Sequence, residues 1–551
     1  MIKIIILFFT FLLLYTVSFA QNAVRLTVLP PTTNIRTTID GATIQGLIPG
    51  DTILFEHGTY YQIVIKNISG TVTKPIVILN KSGQVIIANN PDFGLKVGGC
   101  SYLKLSGKGY NSYYYGWLIK DIITTGTSGG NGLSMDDLST NIEVENIEIK
   151  NVSYVGIFAK TDPSCAFLEQ LKTFSMNNIL IHDCYLHKIG HEGMYLGSSK
   201  YKDGYSVTCN NITSTVYPHL LKNLRVYNNI VDSTGWDAVQ ISCVDSCKVY
   251  NNRISHDSQD DSANQMSGIL FGGGSKNCNC YNNRIVDGHG DGIEVLGLGN
   301  IKVFNNLIVN AGKDYTLTGS KHGIYVGSVT NQDIGATLIL NNTIITPRTY
   351  GINFQNNISI GSKAINNIIV VPSPYLNAIV NNLNLENSYN LTKATITEPN
   401  LFTDPLKGDY SLSFFSEAKD NGIDLSSYGV TFDILGNPRP YPKGGFFDRG
   451  AFEYTPGVGI DDHSSQIEGF NLFPNPNNGD FTIKFNLKTP DYITLYIYNI
   501  TGKCLYKSTE KFYSLTENAI DLHLSSLLSG FYLIKLIGKQ TLINHQFIIS
   551  K

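Results

Sequence analysis

Along most of this chain, apolar and polar positions alternate in short runs broken by asparagine, glycine or aspartate. Between Leu221 and Val371 the runs fall into register when aligned on an asparagine pair: LKNLRVYNNIVDSTGWDAVQIS, CKVYNNRISHDSQDDSANQMSGILFG, CNCYNNRIVDGHGDGIEVLG, IKVFNNLIVNAGKDYTLTGSKHGIYVG, ATLILNNTIITPRTYGINFQ and SKAINNIIVV. The pairs begin at Asn228, Asn251, Asn282, Asn305, Asn341 and Asn366, spaced 23, 31, 23, 36 and 25 residues apart. Two earlier copies, IEVENIEIKNVSYVGIFA and ILIHDCYLHKIGHEGMYLG, keep the pattern with one or both asparagines replaced. A minimum near 23 with irregular excess describes a fixed unit of three short strands carrying loops of variable length. The runs are rich in β-branched and aromatic residues and too short for helices. A short strand cannot bury its face alone, but units stacked in parallel give every strand a neighbour at ~4.8 Å. An asparagine recurring at one turn then bonds the coils above and below through its amide. Asn282 is expected to face the coil interior. Cys247 and Cys278, each four residues before its pair, are expected to stack on adjacent coils as buried thiols in preference to a disulfide.

Composition adds boundaries. With 15% charged residues and a net charge of −3, the chain has no basic field for nucleic acid. Nine cysteines form neither a CxxC pair nor a Cys/His zinc pattern, and are too few to staple 551 residues. Lys3, the apolar run IIILFFTFLLLYTV and the small-x-small SFA before Gln21 read as an export signal over 1–20, and the run is too short for a transmembrane anchor. The expected order is then cap and first coils over 21–100, solenoid over 101–395, closing segment over 396–455, linker over 456–468 and a small β module over 469–551. The mature chain is expected to be a monomer.

The asparagine-turn repeat resembles the right-handed parallel β-helix of the pectate-lyase-like superfamily over roughly residues 40–395. IPGDTILFEHGTYYQIVIKNISGTVTKPIVIL (48–79) is similar to the first coils of secreted β-helix proteins, and the stretch from PNLFTDPLKGDY to GNPRPYPKGGFFDRGAFEY (399–454) to their closing segment. Capping the last open coil is the physical task expected of that closing segment. After a linker, PNPNNGDF, YNITGK and LSGFYL with a final lysine resemble the C-terminal sorting domain of the type IX secretion system of Bacteroidetes bacteria. That resemblance implies contact with the secretion machinery and translocation to the cell surface, with attachment or release. A fibronectin-like binding sandwich is disfavoured because the segment shows fewer than seven strands.

Aligning the strand after each glycine turn (EGMYLG, DAVQIS, SGILFG, DGIEVL, HGIYVG, YGINFQ) puts Met194, Val239, Ile269, Ile293, Ile324 and Ile352 inward, with Leu196, Ile241, Phe271, Val295, Val326 and Phe354. Tyr195, Gln240, Leu270, Glu294, Tyr325 and Asn353 point out. The turn position before each strand holds Glu192, Asp237, Ser267, Asp291, His322 and Tyr350. Excess loop length at 160–176, 198–220, 254–267 and 311–322 walls this face, with Trp236, Tyr201, Tyr205 and Tyr315 at its rims. Aromatic faces beside carboxylates in a long groove suit an extended sugar chain, and the superfamily resemblance implies a substrate cleft on this face.

Two reactions fit. Glycoside hydrolysis needs two carboxyls, supplied from Glu192, Asp237, Asp291 and Glu294. Lyase chemistry needs a base, for which Lys321, His322 and Tyr325 are candidates, and a cation beside the uronate. Asp257, Asp260 and Asp261 in DSQDDSAN are candidate Ca²⁺ ligands, although the EF-hand pattern is missing and a solvated loop is the favoured explanation for them. His191 and His322 are candidates for substrate contact, and GHG at 288–290 reads as a turn. Tyr195, Gln240, Tyr325 and Trp236 are the candidate substrate-binding residues, and Asp291 and Glu294 are expected to face the groove unheld by packing. A polysaccharide-binding enzyme is thus expected, with a non-catalytic adhesin built on the same helix as the alternative.

Overall fold

The computed structural model describes residues 24–551 apart from 111, 127–128, 317–318, 328–334, 372–377, 382–383, 456–466, 488–489, 500–502, 514–517 and 539–541. The export signal and most of the linker lie outside the described residues.

Three strands per turn build a right-handed parallel β-helix. One coil runs Ser267–Phe271, Lys276–Tyr281 and Arg284–Val286, and each strand pairs in parallel with its counterpart one coil on. The first strands of the coils form a twelve-stranded parallel sheet from Arg36–Asp40 to Ile379–Asn381, called the front sheet below; the other two columns merge into a 24-stranded sheet. The first described strands, Val24–Val28 and Arg36–Asp40, already pair in parallel with Thr52–Tyr60 and Gln62–Lys66, so the coil register begins there.

Alternation sorts the side chains as the sequence pattern requires. Met194, Val239, Ile269, Ile293, Ile324 and Ile352 are fully buried, and the second inward column is buried with them. Cys247 and Cys278 pair across adjacent coils as buried free thiols. The disulfide lies elsewhere, joining Cys165 to Cys209 between the loops that follow Ile157–Ala159 and Met194–Gly197.

The asparagine turn corrects one expectation. The buried ladder is made by the second residue of each pair. The Nδ2 groups of Asn229, Asn252, Asn283, Asn306 and Asn342 each donate to the Oδ1 of the next, at 3.0 Å, and Asn367 donates to Asn390 at 2.8 Å. Each amide also donates to a backbone carbonyl of the preceding coil, as Asn283 does to Val249 at 2.9 Å. Asn282 is only half-buried. It occupies the left-handed region, φ 56°, as do Asn228, Asn251, Asn305, Asn341 and Asn366. One residue makes the corner and the next makes the ladder, because asparagine tolerates left-handed φ at little cost. Outside the turn, Tyr227, Tyr250, Tyr281 and Phe304 stack at centroid distances of 4.9 to 5.0 Å.

The closing segment, expected to cap the coil end, makes its contacts along the flank. Leu401, Phe402, Tyr410, Leu412 and Phe452 pack on Leu307, Val309, Ile345, Ile368 and Leu391 from successive coils. Asn305, Asn341 and Asn366 donate to the carbonyls of Phe432, Asp448 and Ile423. Its landmark residues serve one buried knot: Arg439 bonds Glu453 at 2.8 Å and the Gly450 carbonyl at 2.8 Å. Such a pair holds its place only with these extra bonds, since burying two bare charges costs more than their attraction returns.

The C-terminal module holds eight strands, more than the pattern revealed, in antiparallel sheets of three and five. It carries its own core around Ile483, Phe485, Ile497, Ile534 and Phe547.

Candidate functional site

The front sheet's outward column runs in unbroken register through Tyr195, Gln240, Leu270, Glu294, Tyr325 and Asn353. One turn earlier, backbone N–H groups step along the second column. Gly156 donates to Glu192, Gly193 to Asp237, Ala238 to Ser267, Gly292 to His322 and Gly323 to Tyr350, while Ser267 pairs with Asp291. Two polar columns thus lie side by side, and the glycine between them lets successive coils approach. At Gly292 a Cβ would stand 2.6 Å from the Gly323 carbonyl.

Burial sets the electrostatics. Asp237 is fully buried, neither of its oxygens meets a donor in hydrogen-bond geometry, and the Ser267 backbone approaches only weakly. Burial, then the nearby Glu294, Glu192 and Asp257, raise its pKa well above the usual carboxylate range. Burial lifts Glu192 to about 7, against weaker help to its charge from its own backbone N–H and Lys160. Asp291 is also lifted to about 7 by burial, with Glu294 adding to the rise and Lys321 opposing it. Its Oδ1 accepts from the His322 N–H at 2.6 Å and its Oδ2 lies 3.5 Å from Lys321 Nζ. Glu294 accepts from Ser267 Oγ at 2.8 Å, and burial raises its pKa too. Asp291 and Glu294 are therefore held by specific bonds, contrary to the expectation that nothing packs against them.

The base candidates are restrained. Thr349 Oγ1 donates to the Lys321 carbonyl at 2.7 Å, so it accepts from His322 Nδ1, also at 2.7 Å. Nε2 then accepts from Asn353 at 2.9 Å. Burial, with Lys321 adding to it, pushes the pKa of this imidazole down to about 4, so it is neutral and fixed in one tautomer. Lys321 is packed on the Tyr315 ring, 5.3 Å from its centroid, with Arg348 over the same ring at 5.1 Å. For Tyr325, burial together with Glu294 and Asp291 raises the pKa of the phenol.

Toward the N-terminal end of the outward column, Tyr195 and Phe158 meet edge to face at 5.5 Å, with Lys160 Nζ 5.1 Å from both rings. Lys160 bonds Tyr205 at 3.0 Å and Asp162 at 2.8 Å. Trp236 stacks on His191 at 3.8 Å, which in turn meets Tyr154 at 4.2 Å. Gln240 is buried with its Oε1 unpartnered. Lys160 and Thr349 escaped the sequence pattern. Extending the strand alignment one coil back, to VGIFAK, would have placed Phe158 beside Tyr195 and flagged Lys160 just beyond.

The three candidate Ca²⁺ ligands do not converge. Asp257 is buried against Ser258 at 2.8 Å and is pushed up to about 6 by burial. Asp261 bonds His289 at 3.0 Å and the Thr316 N–H at 3.0 Å, while Asp260 is exposed. The histidine of GHG thus ties one loop to another, and Gly288 stands where a Cβ would lie 1.9 Å from Asp257 Oδ2. Among the described residues, the group whose ligand atoms come together is Glu143, Glu145 and His182, on the other sheet. Lys104 and Lys108 already neutralise it, at 2.6 to 2.8 Å. The aspartate set does not bring three ligand atoms together, and at the other set the lysines compete with a cation for the carboxylates.

Residues 471–550 match the family model of the secretion system C-terminal sorting domain. The chain carries a type IX sorting domain. It is therefore exported to the cell surface or beyond through that machinery, and among the described residues no helix is long and apolar enough to cross a membrane. No curated protein matches the chain. Among solved structures it is similar to the GH136 lacto-N-biosidase of Eubacterium ramulus, at 12% identity and TM-score 0.44, with 63% of each chain covered. It is also similar to XylC in complex with xylose, at 9% identity and TM-score 0.41, covering 76% of this chain and 98% of that one. A PL6 family polysaccharide lyase from Pseudopedobacter saltans matches at 15% identity and TM-score 0.33, covering 70% of this chain and 98% of the other. The chain thus spans less than two thirds of the length of the lacto-N-biosidase, and these likenesses concern the fold alone.

Proposed function

We propose that this chain is an exported glycoside hydrolase acting on a polysaccharide laid along the front sheet. The observation that carries this reading is the row of buried carboxyls in one stretch of sheet, with pKa values displaced upward to different degrees. Such a row divides acid from base. Asp237, without a bonded partner, keeps its proton longest and serves as proton donor. Asp291 ionises before Asp237, because Lys321 and the His322 N–H favour its charge, and it activates water. Two rungs separate them, roughly 10 Å along the sheet, a spacing of the order that admits a water between carboxyls and so points to inversion at the anomeric carbon. Glu192 and Glu294 flank the pair and tune it. Tyr195, Trp236, Gln240 and Tyr325 offer ring faces and polar groups to sugar units on either side.

Hydrolysis is favoured over elimination because His322 is held neutral with both nitrogens engaged. Incubation with a panel of neutral and uronate polysaccharides tests this, reading reducing ends and ultraviolet absorbance of unsaturated products. Reducing ends alone are expected. Both signals together would indicate a lyase, and neither, with binding retained, an adhesin.

A further inference from the structure

On the 24-stranded sheet, a different sheet from the one that carries the carboxyl row, a second cleft lies between the stacked aromatic column and the tip of the closing segment. Its two chambers measure about 550 Å³ and about 400 Å³ and share Asn282 and Gly436. Arg253 and Arg284 line the first, one rung apart in register, and Lys248, Tyr281 and Phe304 line the second.

The charges here are uncommitted. Among the described residues neither guanidinium forms an ion pair, in a chain whose net charge is −3. Arg253 is exposed; Arg284 is half-buried, and its contact is the Phe452 ring at 5.9 Å. Burial and the neighbouring Arg253 both weigh against the charge on Arg284, and Asp409 offsets them only in part. Two like charges side by side normally cost stability, and an anion between them relieves the repulsion.

The opposite wall is rigid and apolar. Val430 and Ile434 are buried and Asp433 accepts from the N–H groups of Leu435, Asn437 and Glu453, which fixes the loop. Held this way, Phe432 and Leu435 stand 55% and 59% exposed at the rim. A sugar ring has a polar edge and an apolar face, and an acidic sugar adds a fixed negative charge; the cleft offers a complement to each.

We propose that this cleft is a separate binding site for an acidic saccharide. Arg253 and Arg284 take its carboxylate or sulfate groups, and Phe432 and Leu435 cover its apolar face. The site is independent of the carboxyl row and holds whether or not that row cleaves.

Electrophoresis of the mature chain through gels containing alginate, dextran sulfate or neutral dextran tests it, with affinity taken from retardation. The wild-type chain is expected to be slowed by the acidic polymers and not by dextran. Arg253→Gln/Arg284→Gln should weaken that retention by about tenfold or more, the scale of two lost charge-assisted bonds. Phe432→Ser/Leu435→Ser should weaken retention by the acidic polymers while keeping the difference between acidic polymers and neutral dextran. The Asp237→Asn variant should bind as the wild type does. Because Arg253, Phe432 and Leu435 are exposed, melting temperatures should stay within a degree or so, and far-ultraviolet dichroism checks the fold. The proposal is overturned if acidic polymers fail to retain the wild-type chain, if neutral dextran retains it equally, or if the folded arginine variant keeps full retention.

Discussion

The asparagine ladder, one residue per coil, and the carboxyl row on the front sheet are both runs of polar side chains with little or partial exposure, yet they are built to opposite ends. In the ladder every amide is bonded to the next and to a carbonyl behind it, from Asn229 to Asn390. In the row, Asp237 has no bonded oxygen and its neighbours Glu192, Asp291 and Glu294 all resist ionisation. A satisfied buried column stabilises the coil; an unsatisfied one is carried at a cost, and such costs concentrate where chemistry is done.

The largest effect should follow from breaking the row. Asp237→Asn keeps the shape and removes the proton, so turnover of a cleaved glycan should fall by about 10²- to 10⁴-fold. Its melting temperature should stay level or rise, since the amide needs no charge. Both are read from one preparation by reducing-end assay and calorimetry.

Breaking the ladder should invert that pattern. Asn283→Ala leaves buried groups on two coils unpaired and should cost about 1–3 kcal/mol in denaturant unfolding. Activity per folded molecule should not change. Asn282→Ala, which strains the corner without opening the ladder, should cost less, about 1 kcal/mol. Equal losses at the two positions would contradict the division of labour within the pair.

A smaller effect lies in pH. Glu192 and Asp291 hold protons to about 7 in the fold, whereas the unfolded chain releases them near 4. The folded state binds more protons across that window, so this contribution to stability is present below pH 4 and is lost as pH rises through 7. Carboxylates elsewhere, such as Asp183 beside His182, have lowered pKa values and push the other way. The comparison is therefore between variants: Glu192→Gln/Asp291→Asn should show a shallower fall in melting temperature from pH 5 to 8 than the wild type.

The smallest effect concerns the bridged loops that follow Ile157–Ala159 and Met194–Gly197. Denatured protein should show seven thiols without reductant and nine with it, matching the seven free cysteines and one disulfide. Removing the bridge with Cys165→Ser/Cys209→Ser should speed proteolysis within 160–216 and leave the melting of the coils unchanged.

What the sequence revealed and what it hid follow from periodicity. Wherever a residue recurs once per coil, its column was legible: the inward Ile and Val, the outward Tyr195-to-Asn353 column and the acidic turn all stand where alignment put them. The choice between Asn282 and Asn283 was hidden, because adjacent residues in one repeated pair carry the same statistical weight. Only backbone φ separates corner from ladder. The Cys165–Cys209 bridge was hidden because both cysteines lie in loops that belong to no column. Held positions such as His322, bonded to Thr349 and Asn353, depend on side-chain geometry across coils that alternation does not specify. The closing segment was recognisable as a unit, but its path along the flank is set by contacts more than 100 residues apart, such as Asn341 to Asp448.

The most direct test of the central claim measures product release from one responsive polysaccharide by the wild type, Asp237→Asn and Asn283→Ala, each normalised to folded protein. Full release by the wild type and by Asn283→Ala, with none above background from Asp237→Asn, is the predicted result. Release by Asp237→Asn at the wild-type rate would show that the carboxyl row is scaffold and that the working site lies elsewhere.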